Sequence, residues 1–222
     1  MASERVTNVC FHGIGTPRRE LEPGEDVYWV AEDRFRRILD EVATWPGVRL
    51  SFDDGNASDL AIGLPALLER GLTADFFVVA GRLGQPGSLD EDGVRELRRH
   101  GMGIGTHGMW HRSWRGMDQR ERREEFVAAR DRLATVTGAP VDAAACPRGQ
   151  YDRRVLTDLR RQGYTRVYTS DRRPARAGSW LQPRFSVRRD DEPATLRAEA
   201  LSPAPLGRRA RNAAVGAVKR WR

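Results

Sequence analysis

Cysteine is nearly missing: Cys10 and Cys146 are the only two in 222 residues, too few for a disulfide framework or a cysteine-based zinc site. Lysine is scarcer still. Lys219 stands alone, so arginine supplies 37 of the 38 basic side chains, a bias that GC-rich coding explains better than a binding function. Long apolar runs are missing too. The longest, such as 74–81, fall far short of the ~20 residues a spanning helix needs, and mean hydropathy is −0.62. The opening MASERVTNVC carries neither a cationic leader nor an apolar core. The expected setting is a reducing cytoplasm. Histidine occurs only four times, which makes each position informative.

Charge is plentiful but unevenly placed. The net charge of +7 and the pI of 10.3 resemble a nucleic-acid signal until they are divided along the chain. Residues 200–222 hold Arg208, Arg209, Arg211, Lys219, Arg220 and Arg222 and no acid, leaving the other 199 residues at +1. The body shows no basic face with interleaved aromatics, so no nucleic-acid partner is expected. In the tail, Leu206, Ala210, Ala214, Val218 and Trp221 recur at helical spacing behind Pro203 and Pro205. Residues 201–222 therefore read as a basic amphipathic or disordered tail, with peripheral contact to an anionic inner membrane face as its candidate role. Residues 1–200, in a chain that is 39% hydrophobic, suffice for one domain with a single core.

Within that body, short β-type runs alternate with helical patterns. Strands are predicted at 6–11, 48–52, 74–79, 103–106, 143–146, 166–169 and, weakly, 184–187. Helices are predicted at 31–44, 65–70, 90–99, 118–136 and 153–162. Ser88 with Glu91 and Asp118 with Glu121 have capping-box spacing. Gly71, Gly101, Gly138 and Gly163 stand where a left-handed residue closes a helix. Strand starts every 20–40 residues indicate repeated βα units, and no Gly-x-Gly-x-x-Gly follows the first strand, which weakens a dinucleotide-binding reading. The expected fold class is α/β, a distorted, incomplete (β/α)7 barrel.

In such a barrel chemistry belongs at the carboxyl ends of strands. Asp53-Asp54-Gly55-Asn56 follows the second predicted strand, His107-Gly108-Met109-Trp110-His111 the fourth, and Pro147-Arg148-Gly149 the fifth, while the first ends at Phe11-His12-Gly13. One carboxylate and two neutral imidazoles suit a divalent ion of zinc type with a position left for water. Adjacent aspartates project differently, so one can bind metal while the other takes a proton from water. Each feature has a plainer reading: Asp-Asp-Gly as an Asx turn, the histidines as loop residues anchored by Trp110, and His100 as a contact at a helix C-terminus. Their joint placement at strand exits favours the site. Cys10 and Cys146 read as small buried residues.

Leu50-Ser51-Phe52-Asp53-Asp54-Gly55 resembles the first signature of the polysaccharide deacetylase family (NodB homology domain, carbohydrate esterase family 4). The spacing of His107 and His111 is similar to its second signature, and Pro147-Arg148-Gly149 to its third. The resemblance, over roughly residues 6–188, implies removal of N- or O-acetyl groups from N-acetylated carbohydrate. It implies Asp53 as general base and Asp54, His107 and His111 as ligands of a divalent metal, most simply Zn2+; His12 and Arg148, at neighbouring strand exits, are further catalytic candidates from their position alone. Three departures stand out. Gly108 replaces the usual Ser or Thr, Arg148 stands where an aromatic residue often does, and no histidine follows His111 to form the late Leu-x-His motif. Leu181-Gln182-Pro183-Arg184 occupies that region, and His12 is the first candidate for the missing acid. Hydrolysis of another non-peptide C–N bond (a formamide or cyclic amide) and non-catalytic carbohydrate binding are the competing functions.

Overall fold

A computed structural model of the chain describes residues 5–201; the remainder of the basic tail, 202–222, lies outside the described residues. Eight strands follow in chain order: β1 (Arg5–Phe11), β2 (Val48–Asp54), β3 (Ala74–Val78), β4 (Gly103–Thr106), β5 (Ala143–Ala145), β6 (Arg166–Thr169), β7 (Ala175–Arg176) and β8 (Leu181–Ser186). Seven of them pair in parallel in the order β2-β3-β4-β5-β6-β8-β1, and β1 pairs again with β2, so the barrel closes with one strand fewer than eight. The two-residue β7 adds antiparallel to the outer end of β1. Every predicted strand is present, the last starting three residues earlier than expected.

Around the barrel lie α1 (Glu32–Ala43), α2 (Leu64–Leu68), α3 (Glu91–Arg99), α4 (Gln119–Arg123), α5 (Ala129–Thr137), α6 (Arg153–Arg161) and α7 (Pro193–Leu201). In α1, Phe35, Ile38, Leu39 and Val42 recur at three and four residues and are fully buried, while Arg36–Glu32 and Arg37–Asp33 pairs face solvent. The predicted capping box at Asp118 and Glu121 forms. The cap of α3 is Asp90 rather than Ser88: its Oδ1 accepts from the Gly93 amide at 2.7 Å. The four helix-closing glycines all have positive φ, from 62° to 79°. No helix among the described residues is long and apolar enough to cross a membrane.

The alternation of each strand sorts its side chains between two cores. Facing the helices, Phe11, Phe52 and Phe76 stack in series with ring centroids 5.4 and 4.7 Å apart, and Phe35 packs edge-on against Phe11. Each fully buried Phe contributes about 1.5–3 kcal/mol of burial free energy. The opposite parity, facing the barrel axis, is more polar. Asn8 donates to Gln182 at 3.1 Å, and Phe77 packs on Tyr168 at 4.8 Å. Room for Phe77 comes from Gly105, where a Cβ would sit 2.4 Å from its ring.

Candidate active site

Asp53 is the last axis-facing residue of β2. Arg184, on β8 and separated from β2 by β1 alone, grips it with two parallel hydrogen bonds, 2.7 Å to Oδ1 and 2.6 Å to Oδ2, and also donates to Ser51 Oγ at 3.1 Å. Both side chains are buried, and the guanidinium lies over Phe77 and Tyr168. Burial alone would raise the Asp53 pKa. The Arg184 charge and hydrogen bonds, with His107 and His12 nearby, outweigh it and hold the carboxyl below the usual carboxylate range.

Asp54 turns back toward the same space because its φ is 79°, in the left-handed region, followed by Gly55 at 72°. Its Oδ1 lies 3.6 Å from His107 Nε2 and 3.3 Å from His111 Nε2. Asp53 Oδ2 is only 3.8 Å from His107 Nε2. Both carboxylates thus address the site, contrary to the expectation that adjacent residues must point apart. What separates their roles is Arg184, which occupies both oxygens of Asp53 and neither of Asp54.

His107 and His111 come from a tight turn after β4, in which Gly108 and His111 have φ of 81° and 54°. His107 Nδ1 lies 2.9 Å from the Ala145 carbonyl. An oxygen that only accepts places the hydrogen on Nδ1 and leaves Nε2 with its lone pair. Burial pushes the His107 pKa down to about 4, against the pull of Asp53 and Asp54, so the imidazole is neutral at pH 7. His111 is pushed down by burial, but Asp54 and Glu22 more than compensate, and the net shift is upward.

Asp54 Oδ1 is a buried oxygen without a hydrogen-bond partner among the described residues. Two imidazole Nε2 atoms face it, and the three groups offer ligand atoms all within 4.8 Å of one another. One carboxylate and two imidazoles fit a zinc-type ion. Cys10, His12 and Asp53 form a second trio of the same compactness, but Asp53 there is already neutralised by Arg184, and burial holds the Cys10 thiol in its protonated form.

His12, at the exit of β1, stacks on Tyr28 at 4.9 Å and places Nε2 4.0 Å from Asp53 Oδ2. Arg148 sits at the pocket rim with a left-handed backbone (φ 56°), half exposed, its guanidinium 2.8 Å from Glu22. These residues line one cavity of about 240 Å³. Every predicted site residue therefore reaches the same pocket. His100 takes no part in it, pairing instead with Glu96 at 2.9 Å at the end of α3.

Comparison with known proteins places this geometry. The sequence profile of the polysaccharide deacetylases matches residues 43–167, more than half of the chain. The chain belongs to the polysaccharide deacetylase family. It is 23% identical over 179 residues to YxkH of Bacillus subtilis (strain 168), whose name assigns it provisionally to the polysaccharide deacetylases. That match takes in 73% of this chain and 63% of YxkH, so the chain spans somewhat under two thirds of that relative's length. Several solved structures share the fold. The Streptococcus pyogenes deacetylase PplD, solved with acetate, superposes with a TM-score of 0.77 at 19% identity, over 91% of this chain and 100% of that one. IcaB from Ammonifex degensii gives 0.71 at 20% identity, over 88% and 96%.

In this member of the polysaccharide deacetylase family, the Gly108 departure has a local cause. A Cβ at Gly108 would lie 2.2 Å from Glu125 Oε2. Glu125, fully buried in the π-helical turn Glu124–Ala128 between α4 and α5, accepts from the Met109 and Trp110 amides (2.9 and 3.1 Å) and from Trp114 Nε1 (3.2 Å). The histidine loop is thus shaped by a carboxylate on a distant helix instead of a side chain at 108. Sequence reasoning missed Glu125, Arg184 and Glu22. For Arg184 a signal existed: an arginine at the axis-facing parity of a short strand. Nothing local marked the other two.

Proposed function

We propose that this chain is a metal-dependent hydrolase that removes N-acetyl (or O-acetyl) groups from an amino-sugar glycan or sugar precursor. The observation that carries the reading is the pairing, in one pocket, of an ionised Asp53 clamped by Arg184 with the compact ligand-type set of Asp54, His107 and His111. A zinc-type ion held by that set would supply a Lewis acid for the acyl oxygen and make the attacking water more acidic.

The chain's own residues do the rest. Asp53 accepts the proton of the attacking water; its pairing with Arg184 keeps it ionised and fixed in direction. His12, one strand away, gives a proton to the leaving amine nitrogen, the role for which no later histidine exists. The stacking of Tyr28 on His12 holds that ring in place. Arg148 presents its guanidinium at the rim, within reach of sugar oxygens. The products are acetate and a free amine (or alcohol), with one water consumed.

Acetate release by the Asp53→Asn variant tests the assignment. Removing the base lowers turnover about 10²–10⁴-fold, while zinc content stays at the wild-type level because Asp54 and both histidines remain. Near-full activity in this variant contradicts the role of Asp53. The same reading, resting on composition, places the protein in the cytoplasm, with 201–222 as a peripheral anchor. Salt-sensitive binding to anionic vesicles that survives deletion of 203–222 rules that anchor out.

A further inference from the structure

Glu22 lies in the segment between β1 and α1, outside every motif, yet its carboxylate enters the pocket. Its Oε2 lies 2.8 Å from His111 Nδ1 and accepts from Arg148 Nη2 at 2.8 Å, while its Oε1 pairs with Arg82. We propose that Glu22 is a positioning residue of the metal centre, orienting His111 as a ligand through Nδ1. The inference rests on the reading of Asp54, His107 and His111 as the ligand set.

The two histidines are handled in parallel ways. His107 gives its Nδ1 hydrogen to a backbone carbonyl on β5, and His111 gives its own to Glu22. A carboxylate accepts and does not donate, so in both rings the lone pair is left on Nε2, the atom facing Asp54 Oδ1. Outer partners of this kind fix the tautomer and ring direction and raise ligand basicity. A carboxylate does so more strongly than a carbonyl because it carries charge.

A surface ion pair that happened to graze a histidine would look different. The segment is fastened to the metal side of the pocket at a second point. The Glu22 amide donates to Glu25 Oε2 at 2.8 Å, and Glu25 in turn is gripped by Arg19. Arg19 donates to Asn56 Oδ1 at 3.2 and 2.9 Å, two residues beyond Asp54. Glu22 is thereby held from the β2 exit while it braces the β4 exit. Arg82 and Arg148 offset its charge, so that it stays a hydrogen-bond acceptor on the far side of the imidazole.

The test measures zinc affinity of metal-stripped protein by competition with a chelating dye, together with the His111 tautomer from long-range nitrogen–proton NMR of the metal-free state at alkaline pH, where the ring is neutral. Wild type binds zinc and shows Nδ1–H on His111. Glu22→Ala binds zinc about 10–100-fold more weakly and loses the single tautomer, and Glu22→Gln, whose amide oxygen still accepts, recovers part of both. Should Glu22→Ala fold poorly, the Gln variant still decides, since loss of the charge alone weakens zinc while the tautomer persists. Unchanged zinc affinity in both variants overturns the role of Glu22 with the metal centre intact; a wild type that binds no zinc overturns the metal reading itself.

Discussion

Asp59, just past the β2 exit, is fully buried, and neither carboxylate oxygen has a hydrogen-bond partner among the described residues. Burial pushes its pKa well up and the Asp54 charge adds to that; the Asn56 backbone and Arg19 oppose it without prevailing. A carboxyl whose folded pKa exceeds its unfolded value of about 3.9 binds more protons in the native state, so stability falls as pH rises above that value. Asp59→Asn removes the dependence. Urea midpoints measured from pH 5 to pH 8 then show the variant gaining on wild type as pH rises; parallel curves mean Asp59 is ionised in the fold. This residue illustrates what the sequence withheld. Asp53 and Asp54 were legible because they sit together at a strand exit with histidines at others. Asp59 and Glu22 are single acids in unremarkable surroundings, and only the folded chain shows what they meet.

At the level of elements, strands and helices were read well because each carries its own punctuation: apolar periodicity, an acidic cap, a closing glycine. Short or irregular pieces were not. The two-residue β7 is below the length at which alternation has meaning, and α7 has no amphipathic stripe. The run at 118–136 reads as one helix. In the structure a π-helical turn at Glu124–Ala128 divides it and buries Glu125 against the histidine loop. Such turns insert a residue into the helical register, which periodicity cannot reveal. Gly108→Ser tests the consequence. The left-handed backbone at φ 81° alone costs a side chain about 1–2 kcal/mol, and the Cβ would crowd Glu125. The expected result is a lower thermal midpoint with weaker zinc binding, as Met109 and Trp110 shift with the loop. A midpoint equal to wild type shows that Glu125 yields freely and does not shape the loop.

As a whole molecule the barrel keeps an apolar shell between strands and helices, while its axis mixes an aromatic cluster of Phe77 and Tyr168 with the polar groups that reach the pocket. Closure of β1 on β2 brings His12, Asp53 and Asp54 side by side, and the pairing of β8 on the other edge of β1 brings Arg184 within reach of Asp53. The (β/α)7 architecture was legible from the count and spacing of strands. Charge compensation at its centre was not, because Arg184 lies 131 residues from Asp53, and pairing over that distance is set by topology alone. The central claim is that Asp54, His107 and His111 hold a divalent ion on which hydrolysis depends. Acetate release from N-acetylhexosamine oligomers, followed as metal-stripped protein is titrated with zinc, tests it most directly. The account predicts no release from the stripped protein, recovery that saturates near one zinc per chain, and no recovery in His107→Ala at the same zinc concentrations. Release that is indifferent to zinc, or fully restored in His107→Ala, would contradict it.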